Sequence, residues 1–197
     1  MTEPLQNLPS RTLNLNLDFQ LDGDRYRHSI VLQCGSDPQA AVPIKDPATL
    51  QPLVIASSIE GTSQDRWPPS PPLQEVIRED RPDHSVYLGV GRAGTAHWSS
   101  SFKLEQDSRL VIEHACRVSE APETALFNSY EIDAAWQITT SSTDSIQLKQ
   151  GPVTVTITGL DLKLEARQFR ASAQAVSISK FPATIVWGQD FQVSIGD

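Results

Sequence analysis

Arg92, His97 and Trp98 fall within seven residues of one another, behind Gly89, Gly91 and ahead of or around Gly94. Glycine permits backbone positions that other residues refuse, and loops on rigid sheets often carry binding groups. A guanidinium pairs with carboxylate or phosphate, and an indole stacks on a sugar or ring. These three residues are therefore the candidate ligand contacts, for an acidic or ring-bearing ligand. The same residues also have a purely structural reading, in which Trp98 is core, Arg92 covers a turn and the glycines fit a tight bend.

The string Gly89-Val90-Gly91-Arg92-Ala93-Gly94 spells a dinucleotide fingerprint after a strand. That chemistry needs a helix next, whose N-terminal amides hold a pyrophosphate. Thr95-Ala96-His97-Trp98-Ser99-Ser100-Ser101 follows instead, with period two and poor helix formers. A glycine-rich β-connection is the better reading.

Glu131-Ile132-Asp133-Ala134-Ala135-Trp136 resembles the start of the Glu-Ile-Asp-x-x-Glu strand of laminarinase-like glycoside hydrolases. The resemblance implies carboxylates on one strand face acting as nucleophile and general acid/base, here Glu131 and Asp133. Trp136 stands where the third carboxylate belongs, so the set is incomplete. The alternative is a solvated acidic face, with Trp136 buried and both carboxylates exposed.

Arg66-Trp67-Pro68-Pro69-Ser70-Pro71-Pro72 matches the Arg-x-x-Pro-x-x-Pro pattern of ligands for SH3 domains. Inside a compact domain it reads as an ordered loop pinned by Trp67. His28, His84, His97 and His114 form no pair at ligand spacing. His114 and Cys116 share a strand face among Leu110, Ile112 and Val118, which makes them core residues before zinc ligands. Nothing calls for a metal or a cofactor.

Sixteen basic against 24 acidic residues give a net charge of −8, with no basic track for a phosphate backbone or an anionic membrane. Nucleic acid and membrane are thus unexpected partners. No apolar run is long enough to span a bilayer. Met1 to Ser10 carries acid and proline where a secretory signal needs basic then apolar residues. The expected compartment is the cytoplasm, with Cys34 and Cys116 as free thiols.

The elements that must position these residues are strands. Leu13, Leu15, Leu17, Phe19 and Leu21 alternate with polar residues, and the period recurs down the chain. The pattern predicts an all-β fold, an antiparallel β-sandwich or flattened barrel with at most one short helix. Residues 1–12 read as a flexible N-terminal segment and 13–197 as a single β domain. Leu13–Leu21 and Tyr26–Gln33 form a hairpin at Asp22-Gly23. Leu53–Ile59 is a short strand, and Leu73–Asp80 forms the short helix behind Pro72.

The middle of the chain continues the series. Trp98, Ser100, Phe102 and Leu104 share a face, as do Leu110 to Val118, and Tyr130, Ile132, Ala134, Trp136 and Ile138 make the next. Val153, Val155 and Ile157 continue until Gly159 shifts the parity, as at a β-bulge. Glu165–Val176 fits both periods and is read as strand. Ala183–Trp187 and Phe191–Ile195 close the chain as a hairpin. The leading expectation is a non-catalytic ligand-binding or protein-interaction module with its site near Gly89–Trp98. The alternatives are a carbohydrate-active hydrolase using Glu131 and Asp133, and a structural subunit pairing through an edge strand.

Overall fold

The computed structural model describes residues 12–35, 52–62, 64–105, 108–173 and 180–196. Every described element is a strand. They run β1 (Thr12–Asp22), β2 (Arg25–Gly35), β3 (Leu53–Ser58), β4 (Glu75–Asp80), β5 (His84–Ala93), β6 (Ala96–Glu105) and β7 (Arg109–Val118). There follow β8 (Phe127–Ile132), β9 (Gln137–Ser141), β10 (Ser145–Gln150), β11 (Val153–Gly159), β12 (Leu162–Glu165), β13 (Gln168–Ser172) and β14 (Ala183–Ile195).

They form two antiparallel sheets packed face to face, an open sandwich and not a closed barrel. One sheet has six strands in the order β1-β2-β3-β8-β13-β12, the other eight in the order β4-β5-β6-β7-β14-β11-β10-β9. Alternation decides which side chains fill the space between them. Leu13, Leu15, Leu17, Ile30, Leu32, Tyr130, Ile132 and Phe169 come from the first sheet. Phe102, Leu110, Ile112, Ile146, Leu148, Val153, Val155, Ile157 and Phe191 meet them from the second. A smaller cluster around Trp98, Cys116, Val118, Leu126 and Trp187 fills one end.

The first hairpin forms as the pattern predicts, with Leu21 opposite Tyr26 and Leu13 opposite Cys34. Gly23 sits at φ 64, which the turn requires and glycine accepts without strain. Glu165–Val176 resolves, as far as Ser172, into the β12–β13 hairpin with Leu162 opposite Ala171. The expectations for residues 1–11, and for Ala175 and Val176, lie outside the described residues.

Four local expectations are corrected. Leu73–Asp80 is not a helix: Glu75–Asp80 is an edge strand paired to β5. Its backbone finds partners along β5, and a tertiary ladder outweighs the weak helical propensity of so short a segment. The chain end is one continuous strand, because Gly188 and Gln189 stay in the ladder opposite Glu113 and Ile112. Gly188 is needed there since a Cβ would stand 2.5 Å from the Ile112 carbonyl oxygen. Gly159 ends β11 rather than bulging it, and Leu162 restarts in the other sheet. The face from Tyr130 to Ile138 breaks at residues 133–136, so Tyr130 and Ile138 belong to different sheets.

Candidate functional site

The proline-rich segment explains the glycines. It lies across β5: a Cβ on Gly91 would stand 1.4 Å from the Pro72 carbonyl oxygen, and one on Gly89 2.8 Å from Leu73. A Gly94 Cβ would meet the Arg66 side chain at 3.2 Å. The three glycines thus give the incoming chain close approach to the strand. Pro68, Pro71 and Pro72 are buried, Trp67 is half-buried, and the Ser70 hydroxyl donates to the Ser129 carbonyl at 3.2 Å. Leu73 then joins the sheets, its carbonyl accepting from the Tyr26 amide at 2.7 Å. The segment is an ordered part of the fold.

With that loop docked inside, β5 and β6 turn their other face to solvent. Arg92 pairs in register with His97, His97 with Arg117 on β7, and Arg117 with Thr184 on β14. All four are exposed. Adjacent strands lie about 4.8 Å apart, so the three basic side chains form a row roughly 10 Å long. The Arg92 amide donates to Gln74 Oε1 at 3.0 Å and its Nε to the Gly94 carbonyl at 3.0 Å, which fixes the stem and leaves the guanidinium nitrogens toward solvent. Among the described residues neither arginine enters an ion pair.

Trp98 is on the opposite side of the strand, only 2% exposed, with its ring edge-on to Trp187 at 5.9 Å. Arg92 and His97 thus share a surface that Trp98 supports from beneath. Arg117 was absent from the candidate set. Its outward direction followed from the parity of Leu110 to Val118, but its register against His97 did not.

The next outward row is Glu75, Val90, Ser99, Ala115 and Val186, and beyond it come Ile77, Leu88, Ser101 and Glu113. Ile77, Leu88, Val90 and Val186 are 54%, 38%, 48% and 62% exposed, half of the large hydrophobics so exposed among the described residues. An apolar strip on a sheet face, bordered by basic residues on one side and by Glu75 and Glu113 elsewhere, has the composition of an interaction surface.

A second concavity lies on the outer face of the six-stranded sheet. One cavity of about 320 Å³ is lined by Arg27, Ser57, Glu131, Asp133 and Arg167. A neighbouring one of about 270 Å³ shares Arg27 and Glu131 and adds Asp22, Glu60 and Gln168. Glu131 and Asp133 are exposed and Trp136 is buried, its indole donating to the Val54 carbonyl at 2.8 Å. Asp133 Oδ1 accepts the Ala135 amide at 2.8 Å, so that carboxylate holds its own turn. Arg167 braces the same turn, donating to the carbonyls of Ile132, Asp133 and Trp136.

Glu60 stands in no motif or alternating pattern that marks it in the sequence. Burial pushes its carboxyl up to about 7, against the opposing pull of the Ser58 hydroxyl, Arg25 and Arg27. Its Oε1 accepts from Ser58 at 2.5 Å, while Oε2 is buried without a partner.

Between the sheets sits a polar chain. His28 Nε2 and the Tyr130 hydroxyl are 2.8 Å apart, Gln189 donates to that hydroxyl at 3.3 Å, and Ser100 meets His114 Nδ1 at 2.8 Å. Burial pushes both histidines down to about 3, so they are neutral. Cys116 is a free, buried thiol pushed up to about 12 by desolvation. His114 and Cys116 are core, and no group of three or more metal-ligating side chains occurs among the described residues. Among the described residues no helix is long and apolar enough to cross a membrane. No family model, curated protein or solved structure matches the chain.

Proposed function

We propose that the protein is a non-catalytic interaction module that docks an acidic partner on the outer face of the eight-stranded sheet. Arg92 and Arg117 are the charged contacts, His97 a hydrogen-bonding one between them, Val90, Leu88 and Val186 the apolar ones, and Trp98 the packed support beneath. One observation carries the reading: three basic side chains without ion-pair partners stand in register on adjacent strands of a chain whose net charge is −8. Basic residues in such a chain are scarce, and most of the others near carboxylates are paired. Unused donors beside exposed apolar side chains fit a carboxylate-bearing, partly apolar segment. The reading takes the protein to be cytoplasmic, which the free Cys116 thiol supports.

The test is fluorescence anisotropy with a labelled peptide of alternating glutamate and valine, titrated with protein at low salt. Two exposed charge pairs at about 1 kcal/mol each predict that R92A/R117A binds about thirtyfold more weakly. Equal binding by the double variant and the parent would overturn the assignment.

The groove over Glu131 favours a second reading, a carbohydrate-active hydrolase. Its support is that one cavity brings Glu131 together with Glu60, two carboxyls in unlike environments, as acid/base pairs are. Turnover of aryl glycosides that disappears in E131Q would establish it, and no turnover on a broad panel would remove it.

A further inference from the structure

The docking face is self-complementary, and we propose that its partner is a second copy of this chain, packed sheet on sheet about a two-fold axis. The proposal rests on the reading of this face as a docking surface and adds the identity of the occupant.

The argument is one of register. On β5, β6 and β7 the outward residues are Arg92, Val90 and Leu88; His97, Ser99 and Ser101; and Arg117, Ala115 and Glu113. Each triplet is centred on the row Val90, Ser99, Ala115, Val186. A two-fold axis lying in the face along that row, across the strands, lays each small or apolar residue on its own copy, and sets Glu75, which continues the row on the edge strand β4, against its own copy at the exposed rim. It also inverts every strand about its centre. Arg117 then faces Glu113 of the partner copy, and Glu113 faces the partner's Arg117. Arg92 lays its aliphatic stem over Leu88, and His97 meets Ser101.

Within one chain Arg117 and Glu113 are four residues apart on a strand, about 13 Å, so they cannot pair with each other. Both are exposed, and neither has an ion-pair partner among the described residues. The two-fold supplies each with one, twice over. The other symmetric arrangement, with the axis along the strands, stacks Arg92, His97 and Arg117 on themselves and is repulsive. The first arrangement gains two Arg117–Glu113 pairs against one Glu75 contact at the solvent-exposed rim, so charge favours that operator.

Geometry allows the contact. Two sheets of the same twist pack aligned at about −30°, which preserves register near the centre of the patch, where β6 and β7 lie. Five strands by three residue pairs make a platform roughly 20 Å on a side. Such a patch covers about 400 Å² on each partner, about 800 Å² over both, the size of a weak contact that forms only at high protein concentration.

The experiment is sedimentation analysis from micromolar to millimolar protein, with circular dichroism confirming that each variant is folded. The parent should dimerise. E113R and R117E should each weaken the dimer by at least about a hundredfold, since each sets like charges against one another at both symmetric positions. The charge-swapped E113R/R117E should regain it. A parent that stays monomeric, single variants that dimerise as the parent does, or a double variant that fails to recover would each overturn the proposal. A monomeric parent that still binds the glutamate–valine peptide through Arg92 and Arg117 would refute the dimer alone. A monomer that ignores the peptide would refute the docking reading as well.

Discussion

Replacing Glu60 with glutamine should stabilise the protein, and by an amount that depends on pH. The carboxyl is half-buried, one oxygen accepts from Ser58 and the other is buried with no partner. Arg25 and Arg27 attract it from a distance, but neither donates a hydrogen bond to it, so desolvation wins and the carboxyl rises from 4.5 to about 7. An acid raised on folding favours the folded state when protonated. Its contribution is fully present below pH 4.5 and is lost as pH rises through 7. At about 1.4 kcal/mol per pH unit, the ionised carboxylate costs up to about 3 kcal/mol at pH 8. Glutamine keeps an oxygen for the Ser58 hydroxyl and carries no charge. E60Q should match the parent near pH 4.5 and exceed it by up to about 3 kcal/mol at pH 8, roughly 6–12 °C in melting temperature for a chain of this size. Urea unfolding across that range reads the difference directly. A difference that does not change with pH, or a glutamine variant less stable than the parent at pH 8, would refute the reasoning. It would mean that Glu60 is ionised and held by Arg25.

The remaining predictions concern the core and the turns. His28 and His114 are neutral when folded, at about 3 against 6.5 unfolded, so their contribution is fully present above pH 6.5 and lost as pH falls toward 3. Two histidines oppose one Glu60, so stability measured by urea unfolding should peak near pH 6.5, and E60Q should steepen the acid limb; a flat profile from pH 7 to 4 would contradict this. Trp136→Ala should cost about 3–5 kcal/mol by chemical denaturation, since it empties a site 1% exposed and orphans the Val54 carbonyl. Gly91→Ala should cost about 3 kcal/mol, because its Cβ would overlap the Pro72 carbonyl. Gly23→Ala, with open space around it but φ 64, should cost only about 1 kcal/mol in the same assay. The Cys116 thiol should react with a thiol reagent only on unfolding, and rapid labelling of the native protein would show the end cluster to be open.

The fold was legible wherever a strand has one wet face. Leu13 to Leu21 and Leu110 to Val118 each declare a face by alternation, and the structure pairs them as that implies. What failed has a common cause, since alternation says nothing about which sheet a strand joins. Tyr130, Ile132 and Trp136 keep one parity through a turn that carries the chain from one sheet to the other. Gly188 reads as a break, yet it is a strand residue kept small by the neighbouring Ile112 carbonyl.

The same limit governs the candidate surface. That His97 and Trp98 point to opposite faces is written in their adjacency. That Arg92, His97 and Arg117 stand in one row depends on two registers, of β5 against β6 and of β6 against β7. Glu60 was invisible for another reason: only the fold brings Arg25 and Arg27 of β2, distant along the chain, near its carboxyl.

The docking face is tested most directly by recording amide chemical shifts of the isotopically labelled protein as the glutamate–valine peptide is added. The account predicts saturable shifts concentrated in residues 88–92, 97–101, 113–117 and 184–188, with R92A/R117A abolishing them. Shifts centred instead on Ser57, Glu131 and Gln168, or shifts the double variant leaves unchanged, would contradict it.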